Sequence, residues 1–463
     1  MITYQDYQDA VSRGKGLAFI GESIAEHMSG ADYKMAEAAD EYDAQRNITI
    51  NAAAHYIYSL SGKRTLDFTA SNNRIASNFF HRLITQRATY SLGNGVTFDA
   101  EGVKEKLGPR FDTDLYNVAR TALKHGVSFG FWNFDRLHLF PLTEFVPFAD
   151  EEDGRLRAGI RFWCLDRKTK PVYAMLYEED GFTKYVTRSG MTGLNFSVAE
   201  EKRPYTQTYV RTRAGGDELI GGGNYGALPI VPMYGNANKQ SALVGMRAAI
   251  DCFDLIASGF CDNLIDTAEI YWIIGNALGM NDDDVQRFMD RLRLQHVAVV
   301  DTENSSVTPH TQDVPYAARE ACLNRLASGI YRDFGAFNPE DVAAGRVTAT
   351  QINAAYQPMD EEADAFEYQV IEFVQPILSL MGIDAVPQFK RNRIANQSEI
   401  ITNLAQIADH IDEQTFLELN PMITPDMIPE IMARKDAEDA RRWTEDDAGS
   451  VQSDGNGGFR YVE

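Results

Sequence analysis

The chain has 463 residues, a formal charge of −23, 44% hydrophobic residues and 11% aromatic ones. That length exceeds one ordinary core and implies two or more domains, while the apolar content excludes a disordered protein. The charge excludes a surface that grips nucleic acid globally, which would need clustered Lys and Arg.

The N-terminus, Met1-Ile2-Thr3-Tyr4-Gln5-Asp6, shows no basic stretch followed by an apolar core. With no run of about eighteen uninterrupted apolar residues anywhere, neither secretion nor membrane insertion is expected. Cys164, Cys252, Cys261 and Cys322 form no C-x-x-C pair and read as reduced, mostly buried residues. Short helical patterns at Leu17 to Met28 and Tyr33 to Tyr42 are polar enough to suggest peripheral helices. A firmer helix is predicted from Asn72, with Ile75, Phe79, Phe80, Leu83 and Ile84 on one face, ending at Leu92-Gly93-Asn94-Gly95. Another covers Leu115 to His125.

Six short strands follow, at Phe129 to Phe134, Leu137 to Leu142, Arg157 to Leu165, Val172 to Tyr177, Thr183 to Thr187 and Thr206 to Val210. Asp/Gly turns separate them, implying an antiparallel sheet or small sandwich. Leu228-Pro229-Ile230-Val231-Pro232 then leads into a long helix to Asp266. Its seam reads Leu243, Met246, Ile250, Phe253, Ala257, Phe260 and Leu264, in alternating steps of three and four. A second stripe is Val244, Ala248, Cys252, Leu255 and Gly259, which leaves Arg247, Asp251, Asp254, Ser258 and Asp262 as a narrow polar strip. Such a helix needs neighbours on two or three faces. The polar strip is the candidate wet side, facing either a lumen or the outside.

Beyond it lies a compact insertion: a strand-like Ala268 to Ile274, a helix capped by Asn281-Asp282-Asp283-Asp284 and reaching Leu292, and a strand His296 to Val300. A returning helix, Val314 to Asp333, carries Leu323, Leu326 and Ile330. The loop begun by Phe334-Gly335-Ala336-Phe337-Asn338-Pro339 ends where Thr348 or Thr350 can cap a long helix bearing Ile352, Tyr356, Met359, Phe366 and Ile377. Pro358 and Pro376 are expected to kink or interrupt it. Short helices near Gln397 to His410, Asp412 to Leu419 and Thr424 to Trp443 precede a Gly/Asp-rich tail that should be mobile.

Motifs for chemistry occur only out of context. Gly221-Gly222-Gly223-Asn224-Tyr225-Gly226 runs into Ala227-Leu228-Pro229 and reads as a turn, with no helix N-terminus to receive a pyrophosphate. Gly126-Val127-Ser128-Phe129-Gly130 joins a helix to a strand, the reverse of a nucleophile elbow. There is no phosphate-binding G-x-x-x-x-G-K-[ST], and the eight histidines form no H-x-x-x-H or H-E-x-x-H pair. Asp282-Asp283-Asp284 and Asp360-Glu361-Glu362 read as caps and solvated acids near helix starts. No catalytic residue, metal ligand or cofactor is expected. Arg287, Arg291, Arg293, Arg319, Arg325, Arg332 and Arg346 read as solvated or ion-paired, or as weak contacts to a passing phosphate backbone.

Several passages, in order, carry a resemblance: Asn72-Asn73-Arg74-Ile75, Tyr90-Ser91-Leu92-Gly93-Asn94-Gly95-Val96, Val118-Ala119-Arg120 through Phe129, and Pro141-Leu142-Thr143-Glu144-Phe145-Val146-Pro147-Phe148. To these are added Gly226-Ala227-Leu228-Pro229-Ile230-Val231-Pro232 and Glu269-Ile270-Tyr271-Trp272-Ile273-Ile274-Gly275. Over residues 45 to 435 the chain resembles the portal, or head-to-tail connector, proteins of tailed bacteriophages. It departs from many relatives in having Arg346-Val347-Thr348-Ala349-Thr350 where they carry a Ser-Gly-containing passage before the long helix.

The resemblance implies an α+β portal-like fold: wing 1–238, stem helix 239–266, clip 267–313, second stem helix 314–334, tunnel loop 335–349, long wing helix and return strand 350–395, crown 396–435 and tail 436–463. It implies a homo-oligomeric ring, commonly of twelve subunits, at one capsid vertex of the virion, assembled in the host cytoplasm. Double-stranded DNA would pass through it non-specifically during packaging and ejection. The seam residues with Leu323, Leu326 and Ile330 would pack the stem, Asn338 and Arg346 would lie near DNA, and Arg287, Arg291 and Arg293 would serve clip docking. Implied partners are the terminase large subunit, head-completion adaptor proteins, and the major capsid and scaffolding proteins; no membrane is implied. Twelve copies would place roughly −280 of formal charge around the axis, so DNA would slide rather than bind. A coiled-coil scaffold protein would share the long helix but not these passages, and an enzyme would need a pocket built from distant residues.

Overall fold

The fold was obtained as a computed structural model, which describes residues 2–58, 62–67, 71–164, 172–188, 194–211, 216–266, 271–275, 283, 286, 287, 306–310, 316–340, 349–392, 404–420, 423, 428–435, 437, 451–454 and 458–461. Contacts group them into two units, residues 1–343 with 355–392, and residues 344–354 with 393–463. The architecture is α+β.

Three helices open the chain: α1 (Tyr4–Ser12), α2 (Gly16–Ser29) and α3 (Ala31–Asp43). Thr3 and Asp6 close a reciprocal capping box at the start of α1, each side chain accepting the other's backbone N–H at 3.1 Å. The expectation that these helices are peripheral fails for α3, whose Ala36, Ala39 and Tyr42 are completely buried. Alanines there let the helix lie close to its neighbour, an approach that an average of polarity along the segment conceals.

A short helix α4 (Ile48–Asn51) and a two-stranded pair, β1 (Tyr56–Tyr58) with β2 (Arg64–Leu66), come next. The helix expected from Asn72 starts only at Phe79, as α5 (Phe79–Leu92). After β3 (Val96–Phe98) and α6 (Val103–Leu107), α7 (Phe111–His125) forms the centre of the largest core. It buries Leu115, Val118, Ala119, Ala122 and Leu123 among side chains of α3, α5 and the following sheet.

That sheet has β4 (Val127–Asn133) in the middle, flanked by β5 (Arg136–Pro141) and, further along the chain, by β13 (Ile230–Tyr234). Between them runs an antiparallel meander of β6 (Phe145–Ala149), β7 (Leu156–Cys164), β8 (Val172–Glu178), β9 (Gly181–Thr187) and β10 (Ser197–Arg203). All six predicted strands are present, within shifted ends. The meander buries Val146, Phe148, Ile160, Val172 and Leu176 against Tyr7, Ile20 and Ile24 of α1 and α2. A third cluster, with Phe129, Phe140, Phe145, Tyr177 and Ile230, joins the two sheets. The glycine-rich passage read as a turn is instead the end of a strand, because β12 (Asp217–Gly223) pairs with β11 (Thr206–Arg211) through Gly221, Gly222 and Gly223.

The long helix is α8 (Leu243–Asp266). Within the insertion, β14 (Tyr271–Gly275) pairs with β15 (Ser306–His310), and the expected strand His296 to Val300 lies outside the described residues. The returning helix is α9 (Tyr316–Phe334). The last long helix, α10 (Ala349–Leu380), runs without interruption through Pro358 and Pro376. Asp360 therefore sits inside a helix and not at a restart. It accepts from the Tyr90 hydroxyl at 2.6 Å and pairs with Arg391 at 3.1 Å, which ties the return strand β16 (Pro387–Phe389) and its flank to α10. Phe373 of α10 lies against Gly130 of β4, where an added Cβ would come within 2.4 Å of its ring. In the second unit, Asp412 caps α11 (Glu413–Leu419), and β17 (Val451–Asp454) pairs with β18 (Gly458–Tyr461).

Candidate functional site

Helix α8 has three faces, each set by its residue spacing at 100° per residue. The seam turns inward: Leu243 and Ile250 are fully buried, Met246 is 9% exposed, and Phe253, Ala257 and Phe260 are half-buried. Phe253 meets Phe79 edge-on at 4.9 Å, and Phe260 meets Tyr316 at 5.9 Å. From α9, Ile330 is buried, Leu323 and Leu326 are half-buried, and Arg319 donates to the Gly259 carbonyl at 3.3 Å. Leu264, at the far end of the seam, is 42% exposed.

From Asp254 to Asp262 the polar strip is not a wet side, while Arg247 and Asp251 before it are half-exposed. Asp254, Ser258 and Asp262 are 1%, 3% and 7% exposed, because Asn47 and residues 73–77, the strap, lie across them. The backbone N–H groups of Asn73, Ile75 and Ser77 donate to Asp262, Ser258 and Asp254 at 2.7, 3.0 and 2.9 Å. Every second residue of the strap meets every fourth residue of the helix, in opposite chain directions. Thr49 Oγ1 donates to Asp251 at 2.7 Å, the Tyr42 hydroxyl donates to the same carboxylate, and the Asn47 amide donates to Asp254. This pattern explains why Asn72 to Asn78 is not helical: its amides are taken by α8 side chains, which offer an alternative to i−4 carbonyls. Burial pushes the Asp254 carboxyl above its ordinary value, with its Asn47 and Ser77 hydrogen bonds opposing. The signal that could have revealed the strap was present in the helix itself, where Asp251, Asp254, Ser258 and Asp262 repeat in steps of three and four like a packed seam.

Among the described residues, nothing covers the third face from Val244 to Leu255, whereas Gly259 further on is half-buried. Val244 and Leu255 are 49% and 45% exposed, with Ala248 and Cys252 exposed on the same stripe, roughly half a turn from the seam. The expectation that the cysteines are mostly buried fails: Cys252, on this open side, and Cys322 are exposed, and Cys164 and Cys261 are half-buried. The outer side of α9 exposes Ala317, Ala318, Ala321, Cys322 and Ser328, a row of small side chains with Arg325 beside it. Two antiparallel helices therefore present small and apolar surfaces that nothing in this chain covers among the described residues.

The other predicted residues are distributed unevenly. Asn338 is 7% exposed, and its side-chain oxygen accepts from the Glu340 N–H at 3.2 Å. The start of its loop is fastened to the body: Gln86 donates to the Phe337 carbonyl at 2.9 Å, Phe337 stacks on Tyr356 at 4.4 Å, and Tyr356 stacks on Tyr90. Arg87 lies over the Phe334 ring and pairs with Glu362 at 3.0 Å. Arg287 is exposed, whereas Arg291, Arg293 and Arg346 lie outside the described residues. Ser128, of the G-x-S-x-G match, is fully buried and donates to the Val118 carbonyl at 2.8 Å. A hydroxyl so placed attacks nothing.

Charge is organised elsewhere, between α3 and α7. Asp40 accepts from Lys124 at 2.7 Å and pairs with His125 at 2.9 Å, while Asp43 pairs with Arg120 and with His81 at 2.9 Å. Burial opposes ionisation of Asp40, but His125 and Lys124 outweigh it and hold its pKa down to about 2. These are fastenings between helices. Among the described residues no three His, Cys, Asp or Glu side chains are grouped to hold a metal ion.

The sequence model of the family described as phage portal protein, SPP1 Gp6-like, matches residues 31–453. The portal protein of Bacillus phage SPP1 is 24% identical over 405 residues, spanning 79% of this chain and 76% of that protein. The portal protein of Clostridium phage phiCD119 is 20% identical over 365 residues, spanning 71% and 77%. Among solved structures, a chain from the neck of an empty GTA particle aligns over 76% of this chain and 91% of its own length, with 10% identity and a TM-score of 0.43.

Proposed function

The chain belongs to the SPP1 Gp6-like family of phage portal proteins, and from that membership we propose that it works as a ring at one capsid vertex, a channel for DNA packaging and ejection. In this reading α8 and α9 are the stem, residues 267–313 the clip, residues 335–349 a loop that approaches DNA, residues 1–238 with 350–395 the wing, and 396–435 the crown. The ring is a homo-oligomer, taken as twelve copies. Its clip docks the terminase large subunit and later the head-completion adaptors, and its wing meets major capsid and scaffolding proteins. The work is mechanical, and ATP hydrolysis belongs to the terminase.

One observation carries this reading: the uncovered stripe through Val244 and Leu255 on a helix whose seam is packed from Leu243 to Phe260 and whose polar strip is buried from Asp254 to Asp262. A soluble chain gains by covering such a stripe, at roughly 1.5–3 kcal/mol for each large apolar side chain buried. A second copy supplies the small-residue surface of α9 for that purpose. The acidity fits as well, since a lumen rich in carboxylates repels the phosphate backbone and lets DNA slide.

The test is imaging of the purified chain by negative-stain electron microscopy. Hollow rings around a central channel are the expected outcome. Compact monomers, or rods and filaments, at micromolar concentration would overturn the reading.

A further inference from the structure

Strands β1 and β2 form a sheet of their own, paired Tyr56 with Leu66, Ile57 with Thr65 and Tyr58 with Arg64. Every residue of both strands is exposed, with Ile57 at 53%, Tyr58 at 65% and Leu66 at 40%. A two-stranded sheet with neither face covered is marginal in water, and such apolar exposure on both faces is uncommon unless another surface receives it. The hairpin is nevertheless held in place at its base. His55 lies 3.6 Å from Asp262, and the strap that follows it is hydrogen-bonded along α8.

Its charge is opposite to that of the rest of the molecule. From His55 to Asp67, whose N–H donates to the His55 carbonyl at 2.9 Å and closes the hairpin, the single carboxylate is outnumbered by Lys63 and Arg64, in a chain of net −23. Any surface presented by a second copy is therefore acidic on average, and complementary to this one. The Arg64 guanidinium lies 3.3 Å from the centre of the Tyr56 ring, which spreads the cation over an aromatic face. Ile57 and Leu66 carry no charge or donor for a phosphate backbone, whereas mixed aromatic, aliphatic and Arg side chains are typical anchors between proteins.

We infer that the β1–β2 hairpin is an arm that docks on a neighbouring copy of this chain and staples adjacent subunits together. The inference rests on the ring reading but goes beyond it, because α8 and α9 could close a ring with the hairpin standing free. The strap sets the direction of the arm from its own subunit, and the apolar side chains of β1 and β2 close onto the next one.

The experiment places a photoreactive p-benzoylphenylalanine at Tyr58 in the full chain and irradiates assembled rings. The expected result is a ladder of covalent dimers and higher multimers, absent from dilute monomer. In parallel, the double variant Ile57→Asp with Tyr58→Asp should raise the concentration needed for half-assembly by roughly tenfold or more. Its monomer should melt as the unmodified monomer does, since neither side chain is packed. Rings that form normally, yield no covalent multimers and disassemble as the double variant does would overturn the arm while leaving the ring reading intact. Covalent capture of added double-stranded DNA in place of protein would also overturn it. If the unmodified chain forms no rings, the ring reading itself fails first.

Discussion

The carboxylate of Asp254 receives the backbone N–H of Ser77 at 2.9 Å although the residue is only 1% exposed. A carboxyl group is thus buried beneath a strap whose donors are neutral. Burial raises its pKa above the ordinary carboxylate value, so the folded state holds the proton more tightly than the unfolded one. The stability it contributes is fully present at acid pH and is lost as pH rises through the raised folded value. Asp254→Asn keeps an acceptor for Ser77 without the buried charge but gives up the acceptor that receives the Asn47 amide, a loss that does not depend on pH. Relative to the parent the variant should melt highest at pH 8, and its standing should fall as pH drops toward the ordinary Asp value. A difference independent of pH would show that burial does not govern this carboxylate.

Asp40 works in the opposite direction. Held down to about 2 by His125 and Lys124, it stabilises the fold above the ordinary Asp value, and that contribution is lost as pH falls through the folded one. Asp40→Asn should lose about 1 kcal/mol at pH 7, a figure already discounted for the partial exposure of the side chain. Urea unfolding should show the gap narrowing below about pH 4 and closing near pH 2.

Gly126 ends α7 with φ at +91°, and an added Cβ would come within 2.8 Å of the backbone at Gln240 and Ser241. Gly154 also has positive φ, at +68°, but nothing lies within 4 Å of an added Cβ. Gly126→Ala should therefore cost about 2 kcal/mol or more, and Gly154→Ala about 1 kcal/mol. Equal losses in thermal unfolding would mean that the contact with Gln240 relaxes freely.

Phe253 and Leu255 stand two residues apart on α8 and separate folding from assembly. Phe253 is packed on Phe79, so Phe253→Asp should destabilise the isolated subunit by about 3 kcal/mol. Leu255 is 45% exposed, so Leu255→Asp should leave monomer melting unchanged and abolish rings seen by electron microscopy. Rings formed by the Leu255 variant would remove the free stripe from the interface.

Much of the fold was legible where a periodic apolar pattern coincided with a local stop signal. The strands from Phe129 to Thr187 alternate and are separated by Asp/Gly turns, and α8 shows its seam without a break. What was missed depends on partners distant in sequence. Strand β6 is short and contains Pro147, and β13 is half hidden by Pro229 and Pro232, so both are fixed by neighbours and not by their own alternation. The strap was read as helix because Ile75, Phe79 and Leu83 share a helical spacing, while its amides are satisfied by side chains about 180 residues away. The polar strip was read as wet because charge usually means water; here Asp254 and Asp262 find backbone donors in place of solvent.

The strap and α8 measure the same distance with differently spaced rulers. Two residues of extended chain advance about 6.6 Å while four of a helix advance about 6.0 Å, so each step slips by about 0.6 Å. Across Asn73, Ile75 and Ser77 the slip accumulates to about 1.2 Å, and one more step would stretch a hydrogen bond beyond its useful length. Chemistry stops the ladder at the same place, because the next helix position four residues before Asp254 is Ile250, which offers no acceptor. The chain turns into α5 at Phe79, two residues past the last contact, so lengthening the strap would add slack without adding grip.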